Sequence, residues 1–147
     1  MTAPILVFGW GNPSRGDDAV GPLFVERIGA LNLPGIDCLT DFQLQVEHAL
    51  DLQGRRRILF VDASLDAEAP FTVTPIAPRK DASFTSHAMS PQSVLQVFCE
   101  LTDEEAPATW LLAIRGERFE LGEALSADAA ERLEQALAWF HDWIAQR

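Results

Sequence analysis

The sequence contains few cysteines and few basic residues. Cys38 and Cys99 are the only cysteines among 147 residues. Two are too few for a disulfide scaffold, so both are expected to be reduced thiols. Lysine and arginine total 11 against 22 aspartates and glutamates, which gives a net charge of −11. An acidic surface repels nucleic-acid phosphates and anionic lipid headgroups. The composition therefore predicts no nucleic-acid partner, no membrane partner and a cytoplasmic location.

Long hydrophobic runs are also absent. No segment reaches the ~18–20 apolar residues that a membrane-spanning helix requires. Residues 1–8 are apolar but contain no lysine, arginine or cleavage-type site, so we expect a first β-strand there rather than a signal peptide. The chain is 48% hydrophobic and 22% charged, as is usual for globular proteins. Residues 1–147 are expected to form one domain and to act as a monomer.

Several catalytic signatures are missing. The sequence has no Gly-x-Ser-x-Gly elbow, no His-Glu-x-x-His pair and no Gly-Lys-Ser/Thr phosphate loop. The glycine-rich loop after the first strand also lacks the Gly-x-Gly-x-x-Gly spacing of dinucleotide-binding proteins. These absences argue against a serine hydrolase of the usual kind, a standard zinc protease and a nucleotide-binding enzyme.

Short apolar runs alternate along the chain with amphipathic stretches. This alternation predicts an α/β fold, a three-layer α/β/α sandwich with a mostly parallel central sheet of about five strands. In such folds, ligands bind at the carboxyl ends of the strands. The predicted strands are residues 4–9, 36–40, 57–61, 71–76 and 108–114, and the predicted helices are residues 22–31, 44–52, 91–101 and 127–145.

Three chemistry-bearing positions follow predicted strands or precede predicted helices. Asp17 and Asp18 lie at the start of the first helix, and one cap site accommodates only one of them. We therefore expect one acid to cap and the other to face the cleft. Asp62 follows the third strand, where a carboxylate is either a turn residue, paired, or a metal ligand. His87 lies in the loop before the third helix. The other two histidines fall within predicted helices, where packing or surface positions are expected.

Two carboxylates and one imidazole form a recognised ligand set for a divalent transition metal with open positions. At this point the residues resemble a known family, the [NiFe]-hydrogenase maturation endopeptidases. The resemblance covers nearly the whole chain, and the motifs that carry it are Gly9-Trp10-Gly11-Asn12-x-x-x-x-Asp17-Asp18, Val61-Asp62-Ala63, Thr85-Ser86-His87 and the late segment from Gly116 to Ser126.

The resemblance implies an enzyme that removes a C-terminal extension from the hydrogenase large-subunit precursor after nickel insertion. It implies that Asp18, Asp62 and His87 contact the nickel, which the substrate carries and for which cadmium or zinc can substitute. No resident cofactor is implied. Asp18 and Asp62 are the predicted catalytic carboxylates, and Asp17 is a candidate general base. The predicted partner is the large-subunit precursor. The resemblance also implies the α/β/α sandwich.

Two positions depart from the family pattern. Ala19 stands where a glycine is common, so this position is expected not to require a positive φ. Asp41-Phe42-Gln43-Leu44 replaces a glycine-rich turn, which alters one side of the cleft. Two other functions stay open: a nickel-dependent checkpoint chaperone that does not cleave, and a small-molecule α/β hydrolase or nucleotide binder. Trp10 is the best candidate for an aromatic docking contact, with packing beneath the first loop as the alternative.

Overall fold

The computed structural model describes residues 2–81 and 89–146. A 3-10 helix precedes α1, and a second one lies between β2 and β3. The strands are β1 (Ile5–Trp10), β2 (Ile36–Asp41), β3 (Arg57–Ser64), β4 (Phe71–Ile76) and β5 (Ala108–Arg115). The helices are α1 (Val20–Ala30), α2 (Pro91–Thr102), α3 (Ala127–Ala145) and the 3-10 helices Gly16–Ala19 and Val46–Leu52. No helix within the described ranges is both long enough and apolar enough to cross a bilayer.

The five strands form one sheet in the order β2-β1-β3-β5-β4. The first four of these run parallel, and β4 pairs with β5 in the antiparallel direction. The carboxyl ends of β1, β2, β3 and β5 consequently meet at one edge, which we call the carboxyl edge. The mostly parallel five-stranded sheet predicted from the sequence is confirmed.

Side-chain alternation along the central strands builds a core on each face of the sheet. Ile5 and Val7 of β1 face α1 and α3, whereas Leu6 and Phe8 face α2 and the 3-10 helix Val46–Leu52. All six residues of β1 are buried. A strand covered on both faces requires a continuous apolar run. The predicted three-layer arrangement therefore follows directly from the composition of β1 and β3.

Local signals set most helix ends. Ser90 accepts a hydrogen bond from the Ser93 N–H, and Ser126 accepts one from the Ala129 N–H, as expected for N-caps. Ala19 has a φ of −70°, so the alanine that replaces the common glycine adopts its conformation without strain. That prediction is confirmed.

The predicted helix over residues 44–52 is a shorter 3-10 helix. It begins at Val46 because Gln45 and His48 close a reciprocal capping box around its first turn. The chain then reaches Gly54, which has a φ of +80°, and turns into β3. The apolar spacing alone did not distinguish this tight helix from an α-helix.

Candidate active site

The loop after β1 carries the acidic pair and folds back on itself. The Asn12 N–H donates a 2.7 Å hydrogen bond to Oδ2 of Asp18. Gly11 has a φ of +149°, and a Cβ at this position would lie 2.0 Å from the Asp18 carbonyl oxygen. Only glycine fits there. The Gly-Asn sequence thus fixes Asp18 at the carboxyl edge.

Asp17 points away from Asp18 and is fully buried. Its Oδ2 accepts hydrogen bonds from the backbone N–H groups of Glu117 (2.7 Å) and Arg118 (3.1 Å) and from the Ser126 hydroxyl (2.8 Å). Its Oδ1 accepts one from the Ser126 N–H (2.7 Å). Asp17 therefore fastens the segment Gly116–Ser126, which we call the closing segment, to the first loop.

The pKa of Asp17 reflects two opposing effects. Burial disfavours the charged carboxylate and raises the pKa, but the hydrogen bonds from Glu117, Ser126 and Arg118 together outweigh it. The net result is a pKa below the ordinary value, so Asp17 is an anion under all ordinary conditions.

Asp62 lies within β3 rather than after it, because the strand continues to Ser64. It is half-buried and pairs in register with Ala113 of β5. This position in a strand disagrees with the turn alternative left open by the sequence. Burial, with a smaller contribution from the charge of Asp18, raises its pKa to about 7. Hydrogen bonds from the Ala63 N–H and the Trp10 indole oppose that shift.

The charge of Asp18 contributes to the raised pKa of Asp62, so the two carboxyl groups lie near each other. Asp18 belongs to the 3-10 helix Gly16–Ala19, which contacts β3, and Asp62 lies near the carboxyl end of β3. Two carboxylates that repel each other favour either a shared proton or a cation between them. The structure thus brings together two of the three predicted metal-contacting residues.

His87, the third predicted metal contact, lies outside the described residues. Among residues 2–81 and 89–146, no group of three potential metal ligands occurs. Met89 does belong to the described part, and its N–H donates a 3.3 Å hydrogen bond to the Leu44 carbonyl oxygen. Met89 therefore lies beside Leu44, in the segment that follows β2.

Trp10 is buried at the end of β1, which agrees with the packing alternative and not with an exposed docking contact. Its ring packs edge-on against Phe60, with 5.7 Å between centroids, and its indole hydrogen-bonds to Asp62. β1 extends one residue further than the predicted apolar run, which carries Trp10 into the core. Its polar atom is satisfied by the site itself.

The sequence did not identify a further acid at the carboxyl edge, in addition to Asp18 and Asp62. Asp41 ends β2, and its Oδ2 accepts a 3.0 Å hydrogen bond from Nε2 of the buried His48. Nδ1 of His48 accepts the Gln45 N–H at 2.8 Å, which fixes the proton on Nε2. The position of Asp41 at the end of a parallel strand was the available signal.

A groove of about 270 Å³ runs between the first loop and the end of β2. It begins at Gly11, whose neighbour in space is Asp18, and passes Asp41. The residues that line it are Gly11, Pro13, Pro22, Glu26, Thr40, Asp41 and Phe42. The groove thus lies beside the loop that carries Asp18, and it includes Asp41 and Phe42 of the segment that replaces the glycine-rich turn.

The strand order, the helical layers and the acidic first loop together define the fold of the [NiFe]-hydrogenase maturation proteases. HycI from Thermococcus kodakarensis KOD1, a [NiFe] hydrogenase maturation protease, superposes with a TM-score of 0.71 at 23% identity, over 95% of this chain and 91% of that one. The hydrogenase maturating endopeptidase HybD from E. coli gives 0.73 at 22%, over 97% and 92%.

The endopeptidase HycI from Escherichia coli gives a TM-score of 0.71 at 18% identity, over 97% of this chain and 91% of that one. No protein-family model and no curated protein sequence matches the chain. The predicted fold is therefore confirmed, and the resemblance seen in the motifs is confirmed at the level of the fold.

Proposed function

We propose that this chain is an endopeptidase that removes the C-terminal extension of a [NiFe]-hydrogenase large-subunit precursor after nickel insertion. The observation that carries the proposal is the meeting of Asp18 and Asp62 at the carboxyl edge. The sheet that holds them has the fold of hydrogenase maturation proteases. The proteins of that fold named above are described as maturation proteases or endopeptidases, which supports the same reaction here.

The donor chemistry fits a nickel ion carried by the substrate. Carboxylate oxygens and an imidazole are ligands that a divalent transition metal accepts, so cadmium or zinc would substitute. The repulsion between Asp18 and Asp62 is relieved when a cation lies between them. In this proposal His87 is the third contact. The ion belongs to the substrate, and the enzyme contains no metal of its own.

Hydrogen bonds from neighbouring residues fix the positions of the two carboxyl groups. The Asn12 N–H fixes one oxygen of Asp18, and the Trp10 indole holds the Asp62 carboxyl. Gripping the substrate's metal at fixed positions orients the adjacent scissile peptide bond. Orientation of this kind supplies a large part of the reduction of a reaction barrier.

Asp17 does not serve this chemistry in our proposal. A general base needs a free lone pair within reach of the proton that it takes. The Asp17 carboxylate is buried and accepts four hydrogen bonds from the closing segment. The expectation that one acid of the pair caps the first helix is wrong, because neither forms a side-chain cap hydrogen bond there. We therefore assign Asp17 to holding the closing segment, and leave the chemistry to Asp18 and Asp62.

The test is incubation of the purified protein with nickel-loaded and nickel-free precursor, followed by intact-mass spectrometry. We expect the nickel-loaded precursor to become shorter by its C-terminal extension and the nickel-free precursor to stay intact. Asp18→Asn should abolish the change, whereas Asp142→Asn, on the exposed side of α3, should not. Binding of the loaded precursor without any change of mass would replace this proposal with that of a checkpoint chaperone.

The proposal also covers the cellular location and the oligomeric state of the protein. We propose a cytoplasmic monomer, since the free thiols of Cys38 and Cys99 are typical of a reducing compartment. The net charge of −11 disfavours association between copies.

A further inference from the structure

The described residues include seven large hydrophobic side chains that are exposed. Three of them lie four residues apart on one segment: Phe42 (67% exposed), Val46 (55%) and Leu50 (64%). We call these three residues the apolar stripe. The inward side of the same segment is buried and anchored, with Leu44 and Leu52 in the core. The stripe residues are therefore exposed positions on a well-packed segment rather than on a loose loop.

The segment that carries the stripe is fixed at its start. The His48–Asp41 hydrogen bond joins the 3-10 helix Val46–Leu52 to the end of β2, and the Phe42 N–H donates to Asp41 Oδ1 at 2.7 Å. The Met89 N–H adds a bond to the Leu44 carbonyl. A rigid apolar surface loses little conformational entropy when a partner covers it.

The stripe is continuous with the candidate active site. Phe42 lines the groove that begins at Gly11, and Gly11 contacts Asp18. Phe42 belongs to both the groove and the stripe, so a polypeptide bound in this groove would contact the stripe at that residue. The exposed apolar surface thus lies where the body of a protein substrate would rest.

The acidic side chains around the stripe indicate the charge of the partner that would fit it. Residues 38–54 contain no lysine or arginine but include Asp41, Glu47 and Asp51, and Glu26 lines the adjoining groove. A partner that fits presents apolar side chains bordered by lysines or arginines. A second copy of this chain does not fit, because each copy has a net charge of −11.

We propose that the apolar stripe is the docking surface for the folded body of the precursor, which presents an apolar patch with a basic rim. This inference deepens the proposed function and rests on it. The paired carboxylates recognise the metal and the scissile bond, while the stripe and its acidic border select the protein that carries them. Central apolar contacts dominate such interfaces, and the bordering charges govern the rate of encounter.

The test measures KM and kcat for nickel-loaded precursor with stripe variants and a matched control. Leu50→Ser and Phe42→Ser should each raise KM about tenfold and leave kcat nearly unchanged. Leu101→Ser, whose side chain is 62% exposed at the far end of α2, should change neither. Glu47→Lys should raise KM, and Glu105→Lys should not. Thermal melts confirm that all variants are folded.

Different results overturn different parts of the proposal. If the stripe variants keep the parental KM while processing continues, the docking surface is wrong and the protease proposal stands. If the parent binds the precursor with the same dependence on the stripe but never shortens it, the docking surface stands and the protease proposal fails. If the parent sediments as a dimer that the stripe variants break, the stripe is a self-association surface and our inference is wrong. Failure of the parent to bind the precursor overturns both.

Discussion

Asp17 and Asp18 are neighbours in the chain, but their carboxyl groups lie in opposite surroundings. Asp17 is buried and accepts four hydrogen bonds from the closing segment. Asp18 is half-exposed and accepts one backbone hydrogen bond, and it shares its site with Asp62. The difference separates stability from function. The Asp17 carboxylate already accepts four hydrogen bonds from the protein, whereas the Asp18 carboxylate can still bind a group that comes from outside the protein.

The largest expected effect is on activity, from removing a charge at the shared site. Asp18→Asn and Asp62→Asn should each slow precursor processing by at least ~100-fold, because the substrate's metal loses a charged ligand. The fold should stay intact, since neither carboxyl accepts the set of buried hydrogen bonds that Asp17 accepts. Processing assays and far-UV circular dichroism on the same preparations provide the check. Parental rates in either variant would refute the assignment.

The second effect is on stability, from removing the Asp17 carboxylate. Asp17→Ala leaves four donors of the closing segment without a partner in a buried place, which should lower the free energy of unfolding by roughly 3–5 kcal/mol. Denaturant titration measures this loss. Asp18→Ala is the control and should cost much less. An equally small effect at both positions would remove the distinction between the two acids.

The folding of the first loop depends on Gly11. Gly11→Ala should slow processing by about tenfold or more, because the added Cβ meets the Asp18 carbonyl oxygen at 2.0 Å and displaces Asp18. Gly122→Ala provides the matched control. Gly122 also has a positive φ, +87°, but its Cβ would meet nothing within 4 Å. It should cost about 1 kcal/mol of stability and no activity. Equal activity in the two variants would contradict a role for Gly11 in placing Asp18.

The smallest expected effect is a pH-dependent rise in the free energy of unfolding when Asp62 is replaced by asparagine. The pKa of Asp62 is about 7 in the folded protein, against an unfolded value near 3.8. Between these two values the unfolded chain ionises while the folded protein keeps its proton, so this group destabilises the fold as the pH rises and does so fully above pH 7. Asp62→Asn should therefore be more stable than the parent by on the order of 2 kcal/mol at pH 8 and nearly equal to it at pH 3.5.

Chemical denaturation at the two pH values, in metal-free buffer, measures this gain. Asp142→Asn provides the control and should show no such pH dependence. A variant that is less stable than the parent at pH 8 would mean that Asp62 supports the fold rather than the site.

The sequence was informative wherever local patterns decide the structure. The continuous apolar runs of β1 and β3 predicted buried parallel strands, and the topology of parallel sheets then predicted that Asp18 and Asp62 would meet. The N-caps Ser90 and Ser126 are local features of the same kind, because each bonds a backbone N–H three residues ahead.

The sequence was less informative where the deciding contacts are distant. It predicted that the two adjacent acids divide their work but not which acid does which, because the partners of Asp17 lie about 100 residues away. The Asp41–His48 pair escaped notice because His48 fell inside an apolar pattern typical of a packed helix. For Trp10 the sequence left docking and packing open, and the structure shows packing because β1 extends to this residue.

The most direct test of the central claim is a crystal of the protein soaked in cadmium chloride, with the ion located by its anomalous scattering. We predict one ion bound by Asp18, Asp62 and His87 at the carboxyl edge, and its loss in Asp62→Asn. An ion bound at other residues, or an Asp62 carboxyl that stays unliganded at saturating cadmium while His87 lies on another side of the molecule, would contradict the claim.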